Sequence, residues 1–366
     1  MIIKKLVLRN FRNLSEVDID TDSKINVVWG NNAQGKTNFL EGIYLLGNGK
    51  SFRAAKNDQL IENGEGHSLL SGTICKNRVE SRVDLLIDQQ GKTFRINKKI
   101  ISSVDEIVAL NRQIMFSPQD VGIAAGAPAG RRNIIDRAIF LSRPSYLKKV
   151  QDYNRQLKHR NKLLKMNVDS SQLKVWTDNL AQTGAAIRCQ RSDFVRSFKT
   201  YLQKSHAGLS AQSEEADILL HQGSSGLESS VEELTRDIQT LHDRERHLGI
   251  TLAGPHRDDP EFHVDGLDLR VYGSQGQQRS FILAFKTALV NYLEDTIGAL
   301  PILLLDDITS ELDKQRKESF LNYLLERGGQ VFITTTDLAS LLPAGLPEAS
   351  YYKVHNGRIF NEAGVN

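Results

Sequence analysis

An α/β fold interrupted by a helical lobe is what the sequence predicts, on three observations. A glycine-rich loop, residues 30–37, stands between a short apolar run and a stretch with helical apolar spacing. Short runs rich in β-branched and aromatic residues fill positions 1–120 and return near the C-terminal end, whereas positions 131–248 carry helical periodicity. A second apolar run, Ile302-Leu303-Leu304-Leu305, closes on the adjacent carboxylates Asp306 and Asp307. The expected organisation is a head built from 1–125 and 249–366, with 126–248 as an inserted helical lobe.

In chain order, strands are expected at 2–8, 25–29, 69–74, 83–87, 94–96 and 114–116, with Gln89-Gln90-Gly91-Lys92 as a hairpin turn. Residues 122–130, rich in Gly, Ala and Pro, read as a linker. Leu147, Val150, Tyr153, Leu157 and Leu164 mark one helix, and Trp176, Leu180, Ile187, Phe194, Phe198 and Leu202 a second. The turn between them is expected at 167–171, and Val231, Leu234, Ile238 and Leu241 mark a third helix. Sustained heptads are missing, so these stripes read as packing faces of a compact lobe. Beyond His247 the chain returns to α/β habits. Strands are expected at 301–305 and 330–334, helices at 281–296 and 314–327, and a terminal hairpin turns at Asn356-Gly357.

The loop Gly30-Asn31-Asn32-Ala33-Gln34-Gly35-Lys36-Thr37 fits G-x-x-x-x-G-K-[ST] at every fixed position, in the strand–loop–helix context a P-loop requires. Gly30 and Gly35 permit backbone conformations closed to residues with a Cβ. The loop N–H groups can then converge on phosphate oxygens, aided by the following helix N-terminus. Lys36 supplies charge at the β- and γ-phosphates and the Thr37 hydroxyl a ligand for Mg²⁺. Residues 30–37 with Asn38 are the expected ATP contacts.

The run ending in Asp306-Asp307 fits a Walker B strand, with Asp306 toward Mg²⁺ and Asp307 orienting or deprotonating the attacking water. Ser310-Glu311-Leu312-Asp313 follows as a helix-capping sequence. A second glycine-rich loop, Gly273-Ser274-Gln275-Gly276-Gln277-Gln278, precedes the helix at 281–296. It reads equally as a simple helix cap and as a surface for a γ-phosphate bound on a neighbouring subunit.

Composition narrows the class. Hydrophobic residues at 40% and charged residues at 25% are ordinary for a globular chain, and no apolar run is long enough to span a bilayer. The N-terminus lacks the apolar core of a signal peptide, and Cys75 and Cys189 show no metal-type spacing. A cytoplasmic protein with reduced thiols and no membrane partner is expected. The net charge of +3 is small but unevenly distributed. Residues 131–166 hold eleven Lys or Arg against Asp136 and Asp152, while 210–245 hold nine acids against Arg236 and Arg244. A basic run can be a solvated helix face; one this dense also suits a DNA backbone through counterion release.

Taken together these residues resemble the ATP-binding-cassette (ABC) ATPases, which implies an ABC-type ATPase head with a mixed sheet. Residues 273–278 look like that family's signature loop, with Ser274, Gly276 and Gln277 at matching positions and Gln275 where a glycine usually stands. The resemblance implies that two ATP molecules are sandwiched between the P-loop of one protomer and Ser274, Gly276 and Gln277 of the other. Asp307 replaces the family's catalytic Glu with a shorter reach, and Thr335 and Thr336 occupy the place of the switch histidine. A finer match runs through Asn10-Phe11-Arg12-Asn13, Ser117-Pro118-Gln119-Asp120, Arg131-Arg132, Gly254-Pro255-His256-Arg257-Asp258-Asp259, the 273–278 loop, Leu305-Asp306-Asp307 with Ser310-Glu311-Leu312-Asp313, and Ile333-Thr334-Thr335-Thr336. It is similar to the RecF family of bacterial recombination mediators, over nearly the whole chain. Gln119 stands where that family typically has Glu; in the wider group a Gln there senses Mg²⁺ and the attacking water, a role the resemblance carries to Gln119. It also implies nucleotide contact by Arg12, which otherwise reads as a surface arginine after an edge strand. His256 and Arg257 read either as ATP sensors or as a hinge. What the resemblance implies overall is an ATP-dependent homodimer with weak, DNA-stimulated ATPase activity. It would bind double-stranded DNA and single-strand gap junctions, and load RecA with RecR and RecO in DNA replication, repair and the SOS response. Two other classes, a transporter ATPase subunit and an ATPase fused to a nuclease, fit the insertion and the length less well.

Overall fold

The computed structural model describes residues 1–366 apart from 22, 54–55, 210–213, 221–225, 308–319, 321, 324–328, 339–340, 342–348 and 363–366. The chain divides into two compact units, Met1–Asp120 with Leu293–Asn366, and Val121–Tyr292.

In the first unit β1 (Ile2–Phe11) and β2 (Leu14–Asp20) form a hairpin, followed by β3 (Ile25–Trp29) and α1 (Lys36–Asn48). Then come β4 (His67–Lys76), β5 (Val79–Asp88), β6 (Gly91–Ile96), β7 (Lys99–Ile101), α2 (Val104–Leu110) and β8 (Gln113–Phe116). The expected 89–92 turn is present: β5 ends at Asp88, whose Oδ1 accepts from the N–H groups of Gln90 and Gly91. The 122–130 linker is shorter than expected. A 3₁₀ turn covers Pro118–Ile123, and Pro128, with its φ suited to a first helical turn, opens the next helix.

The second unit holds α3 (Pro128–Ser142), α4 (Tyr146–Lys165), α5 (Ser170–Leu209), β9 (Ala216–Leu219), α6 (Leu227–Thr240) and α7 (His242–Leu248). Next are β10 (Glu261–Val264), β11 (Leu267–Asp268) and α8 (Gln275–Ile297), of which the part up to Tyr292 belongs to this unit. Beyond it the first unit is completed by β12 (Ile302–Asp306), β13 (Val331–Thr335), β14 (Ala349–His355) and β15 (Arg358–Asn361). The expected helix at 314–327 and the cap at Ser310-Glu311-Leu312-Asp313 lie outside the described residues or are only fragmentarily within them.

Two sheets frame the first unit. One is antiparallel, in the order β2-β1-β4-β5-β6-β7; the other is mixed, in the order β15-β14-β3-β13-β12-β8. α1 packs on strands of both. Its fully buried Phe39, Leu40, Ile43 and Leu46 meet Leu8, Phe11 and Leu70 of the first sheet and Leu304 and Phe332 of the second. Each such side chain contributes about 1.5–3 kcal/mol by leaving water. Gly42 lets α1 close on the first sheet, since a Cβ there would lie 3.1 Å from the Leu8 methyls. In the mixed sheet β14, β3, β13, β12 and β8 run parallel, so the chain leaves β3, β12 and β8 at one carboxyl edge.

Two expectations for the second unit need correction. The lobe is not purely helical: β9, β10 and β11 form an antiparallel sheet, with Ile218 opposite Phe262. And residues 249–292, expected in the head, belong to this unit. The reason is packing. α8 lays Phe281, Phe285 and Tyr292 against the α5 aromatics, with the Phe198 and Phe285 rings 4.9 Å apart and Phe194 and Tyr292 5.4 Å apart. Arg131, Arg160, Arg188 and Arg191 are buried here, each on a carboxylate: Asp259, Glu245, Asp258 and Asp136 respectively. Such pairs fix geometry, because losing either partner strands a charge away from water.

Candidate functional site

The glycine-rich loop leaves β3 with the geometry its composition requires. Gly30 has φ 151° and Gly35 φ 121°, and even Ala33 lies at φ 63°. A Cβ on Gly30 would sit 2.4 Å from the Val354 carbonyl oxygen. α1 begins at Lys36 with no side-chain cap, leaving its first N–H groups directed at the loop's concavity, as an anion site needs. The Lys36 ammonium lies within that concavity, 2.7 Å from the Gly30 carbonyl and 2.9 Å from that of Asn31. Burial lowers its pKa, opposed by the nearby Asp307 and Asp306.

The loop is held from outside as well. Gln34 accepts on its backbone oxygen from Gly357 N at 3.2 Å and from Asn13 Nδ2 at 3.2 Å, and on Oε1 from Asn356 N at 2.7 Å. Asn356 (φ 47°) and Gly357 (φ 71°) form the β14–β15 turn, so the terminal hairpin clamps the loop. Asn38 donates to Asn13 Oδ1 at 2.7 Å and accepts from Arg53 at 2.9 Å, which places it on this clamp. Asn31, Asn32 and Ala33 form the exposed crest of the loop.

Asp306 ends β12 at the same sheet edge. Its Oδ1 accepts from Thr37 Oγ1 at 2.9 Å and from Thr334 Oγ1 at 2.9 Å. Burial raises its pKa, opposed by those two hydrogen bonds. Asp307 takes the left-handed conformation, φ 47°, and its N–H donates to Thr334 Oγ1 at 3.0 Å. A hydroxyl and a carboxylate side by side are a hard-oxygen donor set of the kind Mg²⁺ takes. Gln119 lies in the turn after β8, where Ser117 N donates to Asp120 Oδ2 at 2.6 Å and Gln119 N to Ser117 Oγ at 3.3 Å. Because Leu305 pairs with Phe116, this turn emerges at the edge that carries Asp306, and the Gln119 side chain is exposed there.

Arg12 is not a free surface arginine. Its guanidinium forms a two-pronged pair with Glu41 of α1, Nε–Oε2 3.1 Å and Nη2–Oε1 2.8 Å. Glu41 is fully buried and also accepts from Ser51 Oγ at 2.5 Å. Arg12 is thus tied to the helix that follows the P-loop by an ion pair.

In the second unit, Ser274 and Gln277 cap α8 reciprocally: Gln277 N donates to Ser274 Oγ at 3.2 Å and Ser274 N to Gln277 Oε1 at 3.0 Å. This is a capping box. With its acceptor side engaged, the exposed Ser274 hydroxyl keeps its proton free to point outward. Gln277 Nε2 is held by Glu214 at 3.0 Å, and Gly276 lies in the first turn. Of the 254–259 segment, His256 accepts from Tyr153 and Asp258 and Asp259 hold arginines; only Arg257 is exposed. That is a structural node within one unit.

Sequence reasoning quotes Thr334 without giving it a role, and misses the Arg12–Glu41 pair and the Gln34–Asn356 clamp. Thr334 acts only because β13 lies in register beside β12, with Thr334 opposite Asp306. No local pattern announces that pairing.

Comparison with known proteins places these features in context. Residues 2–351 match the family model described as RecF/RecN/SMC N terminal domain. A protein named DNA replication and repair protein RecF from Syntrophotalea carbinolica is 39% identical over 98% of this chain and 99% of its own. The protein of the same name from Geotalea uraniireducens is 36% identical over 99% of this chain and 100% of its own. Among solved structures, the recombination mediator protein RecF-ATPrS in the RecFOR pathway is similar with TM-score 0.91 and 30% identity, covering 99% of this chain and 98% of that one. An Smc head domain from Pyrococcus furiosus shares the fold, with TM-score 0.58 and 14% identity over 99% of this chain and 96% of that one.

Proposed function

The chain belongs to the RecF/RecN/SMC N-terminal domain family, and within it to the RecF DNA replication and repair proteins; from that premise we propose that it is an ATP-dependent DNA-binding recombination-repair protein. The observation that carries this reading is the hydrogen bond from Thr37 to Asp306, which brings the P-loop helix and the acidic strand end to one point.

ATP enters with its phosphates against the loop N–H groups and Lys36. Thr37 and Asp306 would hold Mg²⁺, which would supply charge neutralisation to the transferring phosphates. Asp307 and Gln119 orient the attacking water, and Asp307 is anchored for this by its N–H on Thr334. Ser274, Gly276 and Gln277 are offered to the γ-phosphate held by a second copy of the chain, so hydrolysis requires an ATP-dependent homodimer. In this reading the dimer holds double-stranded DNA and gap junctions, hydrolysis is slow and DNA-stimulated, and RecR and RecO act with it to load RecA in the cytoplasm. Support comes from the pathway to which the similar solved RecF structures belong. No helix among the described residues is long and apolar enough to cross a membrane.

The test is ATP turnover with and without duplex DNA across a salt series. Slow turnover that rises with duplex is expected; no response at any salt concentration would remove the DNA-coupled reading.

A further inference from the structure

The basic run at 131–166 separates, in the structure, into two populations. Arg131 and Arg160 are buried on Asp259 and Glu245, and Arg132 donates to the Asp258 carbonyl at 2.6 Å. Arg131 and Arg160 hold the second unit together and are not available to a ligand. The rest are concentrated on α4. Tyr146, Tyr153, Arg160 and Leu164 form its buried face. Lys148, Arg155, Lys158, Lys162 and Lys165 recur at three-, four- and seven-residue intervals on the opposite, exposed face. Among the described residues, Lys148, Lys158, Lys162 and Lys165 meet no carboxylate; Arg155 is paired with Asp152 at 2.8 Å. Compensation of the helix dipole accounts for Lys162 and Lys165 in the last turn, but not for Arg155 and Lys158 before it.

This face has shape as well as charge. Arg155, Lys158, Lys162 and Lys165, with the amides Asn154 and Asn161 and the ring of His159, line an open groove of about 760 Å³. His159 packs on Trp176 of α5 with ring centroids 3.9 Å apart, which fixes the groove's wall. Asn161 in turn accepts from Thr251 N at 2.8 Å, and the Thr251 carbonyl receives Arg257 at 3.4 Å. Arg257, the one exposed side chain of its acidic and basic segment, is thereby set beside α4.

Resting on the DNA-binding reading above, we propose that the exposed face of α4, with Arg257 at its flank, is the surface on which the phosphodiester backbone of duplex DNA lies. A stripe of unpaired ammonium groups suits this occupant. Lys158 to Lys165 rise ~10 Å along the helix, about three nucleotide steps of ~3.4 Å measured along the duplex axis. The lysines contact backbone and carry no base readout, so binding there is indifferent to sequence and steep in salt.

The experiment compares full-length wild type, the triple variant Lys158→Gln/Lys162→Gln/Lys165→Gln, and a control of equal charge change on the β4–β5 turn, the β6–β7 turn and the start of β7, Arg78→Gln/Lys98→Gln/Lys99→Gln. Fluorescence anisotropy of a labelled duplex is read across a salt series with saturating non-hydrolysable ATP analogue. The α4 variant is expected to weaken binding about tenfold or more near 0.1 M salt, and to shallow the log–log salt slope by about two to three. The control is expected to bind like wild type. Unchanged affinity and slope in the α4 variant overturn the proposal, as does an equal loss in the control. A variant that keeps duplex binding and loses only polyglutamate binding overturns it too, in favour of an acidic protein on this face. A wild type that binds no duplex defeats the underlying DNA-binding reading instead.

Discussion

The Thr37 hydroxyl donates to the Asp306 carboxylate at 2.9 Å across 269 residues of sequence, and Thr334 donates to the same oxygen from the intervening strand. Asp306→Asn keeps the shape but removes the charge that a divalent cation needs. ATP hydrolysis is expected to fall at least about 100-fold, as loss of a metal's charge stabilisation implies. Nucleotide binding measured in EDTA should stay within a few-fold of wild type, and a variant with normal turnover would exclude Asp306 from the site.

Lys36 sits between two loop carbonyls at 2.7 and 2.9 Å, a seat sized for an ammonium group. Lys36→Arg is expected to crowd that seat, since a planar guanidinium cannot occupy it without moving the loop. Titration with a fluorescent ATP analogue should show affinity reduced by about tenfold or more; unaltered affinity and turnover would refute the role.

For Ser274 two consequences separate cleanly. Ser274→Ala loses one half of the capping box and should destabilise the protein by about 1 kcal/mol in urea unfolding. Ser274→Arg is expected to leave ATP binding by one protomer intact and to abolish ATP-dependent dimers in sedimentation velocity. Normal dimers would show that the loop is a cap and nothing more.

His256 offers a pH signature. Burial pushes its pKa down from 6.5 to about 4, with Arg257 and Arg132 adding in the same direction against Asp258 and the Thr251 carbonyl. The neutral ring accepts from Tyr153 and faces the Thr251 carbonyl through its other nitrogen. Between pH 6.5 and 4 the unfolded chain binds the extra proton, so the stabilisation is complete above pH 6.5 and drains as pH falls. The contribution is about 3 kcal/mol. Urea unfolding of wild type and His256→Gln should converge with acid over that window; parallel curves would clear His256.

Glu41→Ala should destabilise the first unit by about 3 kcal/mol, because Arg12 then faces a buried site without its partner. Thermal unfolding measures this directly, and a loss under 1 kcal/mol would mean the pair contributes little.

What the sequence disclosed, and what it withheld, follows from the range of the forces involved. Gly30, Gly35, Lys36 and Thr37 were legible because each requirement is met within one loop. The strands of the mixed sheet were legible because burial on both faces writes continuous apolar runs such as 302–305. The sheet of β9, β10 and β11 was not, because Ala216–Leu219 is too short to stand out and its partner Glu261–Val264 comes after two helices. The assignment of 249–292 depended on α8 aromatics finding Phe194 and Phe198 on α5, a match of surfaces that periodicity cannot report. Nor does charge density show which arginines are buried: Arg160 and Lys162 look alike in the run, yet one is buried on Glu245 and the other exposed.

The position of β3 has a consequence for synthesis. Both of its neighbours in the sheet, β13 and β14, come from the far end of the chain; Asn26 and Val331, which touch across one of these pairings, are 305 residues apart. The clamp on Gln34 comes later still, from Asn356 and Gly357. A nascent chain on the ribosome therefore carries the P-loop sequence from the outset, yet cannot shape it until β13, β14 and the final turn have emerged. A chain cut short before Val331 is therefore expected to be blind to ATP although its loop is intact in sequence.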